Sequence, residues 1–118
     1  MSEMQREKLE SAGMEIDRTI ERFSGNEALY FKFLKKFPGD ENMEQLTRAV
    51  EEGDSETALR AAHTLKGLSA NLGMKELYEI SSRMVRLYRE QQPQEAGSQL
   101  AALRDAYAKV CGAITECL

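Results

Sequence analysis

The single histidine of the chain, His63, is followed three residues later by Lys66 and four residues later by Gly67. An imidazole titrates near neutral pH, so one ring nitrogen can act as a nucleophile or a proton carrier without a dedicated base. A lysine on a neighbouring turn suits an anion attached to the ring, although an exposed pair of this kind contributes only about 0 to 1 kcal/mol. The simpler interpretation is a solvated histidine with no task, which is usual for a histidine on a polar helix face.

Gly67 also has two interpretations. A lysine followed by glycine ends many helices, with the glycine as a left-handed cap, and "LSANLG" would then be a loop. The apolar stripe continues in phase beyond Gly67, however, and Gly73 offers a better cap. We therefore predict one helix from Ser55 to about Leu72. A glycine inside it costs about 1 kcal/mol relative to alanine, which suggests that the bare position leaves room for a large partner to reach His63.

The predicted helix has one buried side and one exposed side. At about 100° per residue, His63 points away from the apolar side and towards solvent. Its neighbours on the exposed face are Leu59, Arg60 and Ala70, together with Lys66 and Gly67. The opposite face is small and apolar, and it comprises Ala58, Ala61, Ala62, Leu65, Leu68, Ser69 and Leu72.

The overall composition favours one soluble helical domain over residues 1–118. The chain is 42% apolar and 31% charged, with two prolines and no tryptophan. Its net charge of -4 argues against a duplex-DNA partner. No apolar run is long enough to cross a bilayer, so we predict a cytoplasmic protein. Cys111 and Cys117 are separated by about 9 Å along one helix, too far for a disulfide, and the spacing predicts no metal site.

Short turn-forming stretches divide the chain into helical pieces: Gly13, 24–26, Pro38-Gly39, Gly53-Asp54, Gly73 and 93–97. Short links favour antiparallel neighbours. The fold prediction is an all-α, antiparallel up-and-down four-helix bundle with additional short N-terminal helices. Asp54 is the predicted N-cap of the helix that contains His63. Apolar stripes at helical spacing mark three other core helices: Met43, Leu46 and Val50; Leu77, Ile80, Met84 and Leu87; and Leu100, Leu103, Tyr107, Val110, Ile114 and Cys117.

The stretch "HTLKGLSANLG" resembles the signature of histidine-containing phosphotransfer (HPt) domains, in which a histidine is followed by an aliphatic residue, Lys-Gly, small residues and a final glycine. The resemblance extends to "GNEALYFKFLKKF", "AVEEGDSETALRAAHTLKG" and "LGMKEL", and so covers roughly Gly13 to Leu87. It implies a four-helix bundle that passes phosphoryl groups in a two-component phosphorelay. His63 would be the phosphorylated residue, Lys66 would stabilise the phosphoryl group, and Gly67 would give a receiver domain access.

The same resemblance implies the partners. These are response-regulator receiver domains and a sensor or hybrid histidine kinase, and the carrier itself is expected to be a monomer without a cofactor or ATP-dependent kinase activity. Mg²⁺ and the acceptor carboxylate are expected on the receiver. We expect docking on the His63 face through Leu59, Arg60 and Ala70. If the next helix packs antiparallel, Val85, Arg86 and Arg89 would join that surface.

Two other functions remain open at this point. An enzyme using His63 as a general acid or base would need a partner group, and the sequence offers no second histidine, nucleophile motif or phosphate-binding loop. A non-catalytic interaction module with the HPt shape would bind partners without using His63. The sequence fits both a free-standing protein and a segment excised from a hybrid kinase.

Overall fold

The computed structural model describes all 118 residues and contains eight α-helices and one short 3-10 turn, with no β-strand. The all-α prediction is therefore confirmed. The helices are α1 Glu3–Ser11, α2 Ile16–Arg22, α3 Glu27–Lys36, α4 Asn42–Glu52, α5 Ser55–Leu72, α6 Lys75–Arg89, α7 Pro93–Gly97 and α8 Leu100–Cys117, and the 3-10 turn is Phe37–Gly39.

Four of these helices form the predicted bundle. Helix α5 packs against α4 and α6, and α8 closes the ring by packing against both α4 and α6. Gly53 ends α4 and Gly73 ends α5, each in the left-handed conformation that a side chain would disfavour. The resulting turns are so short that α4, α5 and α6 run antiparallel.

The core of the bundle follows the apolar stripes read from the sequence. All four stripe residues of α6 are buried, as are two of the three on α4 and three of the six on α8, while Val50, Leu100, Tyr107 and Cys117 are partly buried against the core. On α5 the predicted apolar side is buried except for Leu68, which is partly exposed. This small-residue side of α5 allows its neighbours to approach closely.

The N-terminal helices are tied to the end of α5. The last carbonyl groups of a helix have no hydrogen-bond partner within that helix. Here three donors from the N-terminal segment bind carbonyl groups at the end of α5 or the carbonyl of the cap residue Gly73. The backbone N–H of Glu15 donates to Gly73 O (2.8 Å), Arg22 donates to Ala70 O (2.8 Å), and the Tyr30 hydroxyl donates to Leu72 O (3.0 Å). The segment is thus an integral part of the domain.

One connection differs from the prediction. Residues 93–97, predicted to be a link between helices, form the short helix α7, whose Ala96 is buried. Proline is compatible with the first turn of a helix because its missing N–H would have no partner there, so Pro93 starts this helix rather than preventing it. Both cysteines are free and partly buried. No helix combines the length and hydropathy needed to span a membrane.

Candidate functional site

Helix α5 places His63 at the middle of an unbroken helix of 18 residues. At its start, the Asp54 side chain accepts a hydrogen bond from the Thr57 backbone N–H (3.2 Å), which confirms the predicted N-cap. Hydrogen bonds from Thr57 lower the pKa of the Asp54 carboxyl. The helix continues through Gly67 and ends at Leu72 with Gly73 as its cap, so the loop interpretation of "LSANLG" is wrong.

The His63 imidazole is exposed and forms no hydrogen bond or ion pair within the chain. Two hydroxyl groups on α5 are already engaged with its backbone: Thr64 donates to Arg60 O (3.1 Å), and Ser69 donates to Leu65 O (2.7 Å). Neither hydroxyl is therefore oriented to activate the ring. The site offers an exposed imidazole that has no hydrogen-bonded acid or base as a partner.

Lys66 and Gly67 lie on opposite sides of His63, one turn further along α5. The Lys66 side chain is partly buried, and Gly67 is exposed. A Cβ atom added to Gly67 would meet nothing within 4 Å. The packing of this chain therefore does not require a glycine at position 67, and the bare backbone leaves open the space next to His63.

The predicted docking residues on α5 are all at or near the surface. Arg60 is exposed and forms a loose ion pair with Glu56 (3.8 Å). Leu59 and Ala70 are partly buried. Leu59 also packs against the core, so only part of its side chain is available to a partner.

On α6 one predicted docking residue is misplaced. Val85 is only 2% exposed, so the prediction that it contributes to docking is wrong. Helix α6 contacts α5, α7 and α8, and this enclosure buries more than one stripe of its surface. Arg86 and Arg89 are exposed, and Arg86 lies 4.0 Å from Glu90.

Sequence reasoning missed an apolar groove on the Gly67 side of α5. Its volume is about 330 Å³, and it lies between α5 and the N-terminal segment. The signal in the sequence was the excess of apolar residues in α3, where Phe33 remains 45% exposed although Tyr30 and Leu34 already fill the buried face. The groove is lined by Phe23, Phe33, Lys36, Phe37, Asp40, Leu68, Asn71 and Leu72.

Comparison with protein families matches residues 39–113, well over half of the chain, to the Hpt domain. The chain belongs to the Hpt domain family. Hpt domains are phosphocarrier modules of phosphorelays, not kinases. Neither a search of curated proteins nor a search of solved structures found a significant match.

The Hpt match does not coincide with the resemblance read from the sequence. It includes α4 to α7 and most of α8, and therefore contains His63, Lys66 and Gly67. Helices α1, α2 and α3 precede it. The groove residues Phe23, Phe33 and Lys36 lie in the part of the chain that precedes the matched residues.

Proposed function

We propose that this Hpt domain carries a phosphoryl group on His63 between aspartates of receiver domains in a two-component phosphorelay. The observation that supports this function best is an exposed imidazole at the middle of α5, one turn from a glycine that the fold itself does not require. A partner as large as a receiver domain needs such an unobstructed approach. Membership of the Hpt family supplies the reaction class.

The chemistry uses the neutral form of the imidazole. The lone pair of one ring nitrogen attacks the phosphorus of a receiver's aspartyl phosphate, the N–P bond forms, and the P–O bond to the aspartyl carboxylate breaks. The carboxylate leaves with the bonding electrons, while the other ring nitrogen keeps its proton. Transfer to a second receiver reverses these steps. Such a transfer depends mainly on in-line positioning and charge neutralisation.

Other groups have supporting parts in this proposal. Lys66, whose side chain extends from the turn after His63, would orient and partly neutralise the phosphoryl group. Mg²⁺ and the acceptor carboxylate would come from the receiver, and a sensor or hybrid histidine kinase would supply the phosphoryl group to the relay. We propose a cytoplasmic, monomeric carrier that has no ATP-dependent kinase activity of its own.

The alternative functions have less support. A general acid or base usually works with an oriented partner group, whereas the hydroxyls of Thr64 and Ser69 donate into the backbone of α5. A non-catalytic module would have no use for the open approach to His63, since docking alone does not need a reactive side chain at the centre of the face.

The test uses a panel of purified receiver domains phosphorylated with ³²P-labelled acetyl phosphate. The wild-type protein and His63→Gln are incubated with each receiver. We expect at least one receiver to transfer acid-labile, base-stable label to the wild type, and none to label His63→Gln. We expect His63→Gln to fold like the wild type, because position 63 is exposed. Circular dichroism of both proteins checks this. Labelling of His63→Gln equal to that of the wild type would refute the proposed carrier residue.

A further inference from the structure

One buried hydroxyl group on α6 has no partner. Two buried side-chain oxygen atoms of the chain form no hydrogen bond, Glu27 Oε1 and Ser82 Oγ. Glu27 forms an ion pair with the α-amino group of Met1 (2.7 Å), so the Ser82 hydroxyl is the one left without any interaction of this kind. Removing a polar group from water costs free energy unless another group replaces the lost hydrogen bonds. An unpaired buried hydroxyl therefore calls for an explanation.

Two neighbouring serines satisfy their hydroxyl groups within their own helices. Ser69 donates to Leu65 O (2.7 Å) on α5, and Ser81 donates to Leu77 O (2.6 Å) on α6. Such a bond to the carbonyl of the preceding turn is a common solution for a serine inside a helix. Ser82 forms no bond of this kind, and its oxygen is closed off from solvent. Its partner must therefore come from a helix packed against α6.

The register of the antiparallel helices α5 and α6 places Lys66 opposite Ser82. Ala70 of α5 and Tyr78 of α6 line one cavity, and so lie at about the same level of the helix pair. One turn forward from Tyr78 along α6 leads to Ser82, and one turn back from Ala70 along α5 leads to Lys66. Both residues are partly buried, as expected at the outer edge of the interface between two helices.

Lys66 has the hydrogen-bond donors that the Ser82 oxygen lacks. Its ammonium forms no ion pair or hydrogen bond within the chain. An ammonium carries three N–H donors and no acceptor, whereas a serine oxygen can accept a hydrogen bond. One donor used at Ser82 leaves two for an anion on His63, which lies one turn before Lys66 on α5.

We propose that Ser82 is a positioning residue for Lys66 and, through it, for the phosphoryl group on His63. Ser82 Oγ accepts a hydrogen bond from Lys66 Nζ and keeps the ammonium on the α6 side of the imidazole. The remaining N–H groups of Lys66 then face the phosphoryl oxygens, and the flexible lysine does not have to be ordered anew at each transfer. The inference rests on the proposed phosphocarrier function.

A double-mutant cycle tests whether Ser82 acts through Lys66. In single-turnover transfer from a phosphorylated receiver, Ser82→Ala should lower the maximal rate about two- to threefold and leave the half-saturating receiver concentration unchanged. In the Lys66→Ala background, Ser82→Ala should have no further effect. Ser82→Thr keeps a hydroxyl and should restore most of the rate. Ser81→Ala is the matched control, because it removes a hydroxyl that bonds within α6, and it should leave the rate unchanged.

The ammonium of Lys66 gives a second readout that needs no receiver. Its ¹⁵Nζ resonance is observed in ¹⁵N-labelled protein in mildly acidic solution, where the ammonium protons exchange slowly with water. The resonance is assigned by its loss in Lys66→Ala. Ser82→Ala should shift this resonance and speed the exchange of its protons with water, because the hydrogen bond is lost. Ser81→Ala should change neither.

The two readouts separate this inference from the carrier function. An unchanged Lys66 resonance in Ser82→Ala would overturn the inference and leave the carrier function intact. A loss of rate on Ser82→Ala that is equally large with and without the Lys66 side chain would do the same. If no receiver labels the wild type, the carrier function fails, and the role of Ser82 in phosphoryl transfer fails with it.

Discussion

The hydroxyl of Tyr30 on α3 donates a hydrogen bond to the carbonyl of Leu72, the last residue of α5, across 3.0 Å. Both groups are buried, and Tyr30 has no exposed surface. The bond gives a partner to a carbonyl that the helix itself cannot satisfy. It also connects the helix that forms the groove wall to the helix that contains His63.

Replacing Tyr30 with phenylalanine should destabilise the domain by about 1 to 3 kcal/mol, because the buried Leu72 carbonyl loses its partner. Urea unfolding at pH 7 measures the difference. Burial raises the pKa of Tyr30 to about 12 from an ordinary value of 10.0. The stabilisation that the neutral phenol contributes is therefore complete below pH 10 and is lost as the pH rises towards 12. The difference in the free energy of unfolding between wild type and variant should narrow over that interval. A constant gap would contradict the burial of this phenol.

Gly73→Ala should be more destabilising than Gly53→Ala, although the two glycines have nearly the same backbone, with φ of 72° and 70°. Each change introduces left-handed strain of about 1 to 2 kcal/mol. At Gly73 the new Cβ would also clash with Thr19 Oγ1, whereas at Gly53 it would meet nothing within 4 Å. We expect an extra cost of about 1 to 3 kcal/mol at Gly73 in thermal or urea unfolding. Equal costs would mean that α2 does not pack closely on the end of α5.

Gly67→Ala should stabilise the protein by up to about 1 kcal/mol, because it removes a glycine from the interior of a helix and the added Cβ has room. The same change should slow phosphoryl transfer from the receiver. Gly112→Ala is the matched control, because Gly112 is likewise the thirteenth residue of an 18-residue helix with nothing within 4 Å of the new Cβ. It should raise stability similarly and leave transfer unchanged. Equal transfer rates in both variants would exclude an access role for Gly67.

Lys66→Ala should reduce the rate of transfer from the receiver by no more than about fivefold, in keeping with a solvated interaction between Lys66 and the phosphoryl group that contributes about 0 to 1 kcal/mol. Lys66→Arg should retain most of the rate, and Lys75→Ala, at an exposed lysine at the start of α6, should retain all of it. Single-turnover transfer measurements at low and moderate salt distinguish these outcomes. A loss of several hundredfold would assign Lys66 a much larger role than orientation.

Asp54→Ala should lower the melting temperature at pH 7, because the first turn of α5 loses its side-chain cap. Hydrogen bonds from Thr57 lower the pKa of Asp54 below its ordinary value of 3.8. A lowered pKa means that the charged form stabilises the fold above pH 3.8 and that this stabilisation is lost as the pH falls through the pKa of the folded state. The difference in melting temperature between wild type and variant should therefore shrink in acid.

The bundle could be predicted because its helices are long and strongly patterned. Helix α5 has a side-chain cap at Asp54, a glycine cap at Gly73 and one apolar side, and each of these local signals points to the same structure. His63 could be placed on the exposed face for the same reason. The reaction class came from the family resemblance, because the spacing of apolar residues predicts helices and gives no information about chemistry.

The errors arose where tertiary contacts decide burial. Val85 lies beside the apolar stripe of α6, and the sequence does not tell how many helices will surround that stripe. The groove at Phe33 requires α3 and α5 to meet at a known distance and angle, which helical periodicity cannot supply. The excess of apolar residues in α3 indicates that some surface remains uncovered, but not which neighbour lies opposite.

The capping of both ends of α5 has a mechanical consequence. Helices normally fray from their ends. Here the Asp54 side chain caps the first turn of α5, and Gly73 and hydrogen bonds from the N-terminal segment cap the last turn. His63, near the middle, is thus far from either site of fraying. We therefore expect the backbone beneath the imidazole to open less often than either end of α5. Alignment of nitrogen and phosphorus must therefore come from rotation of the histidine side chain and from adjustment of the visiting protein.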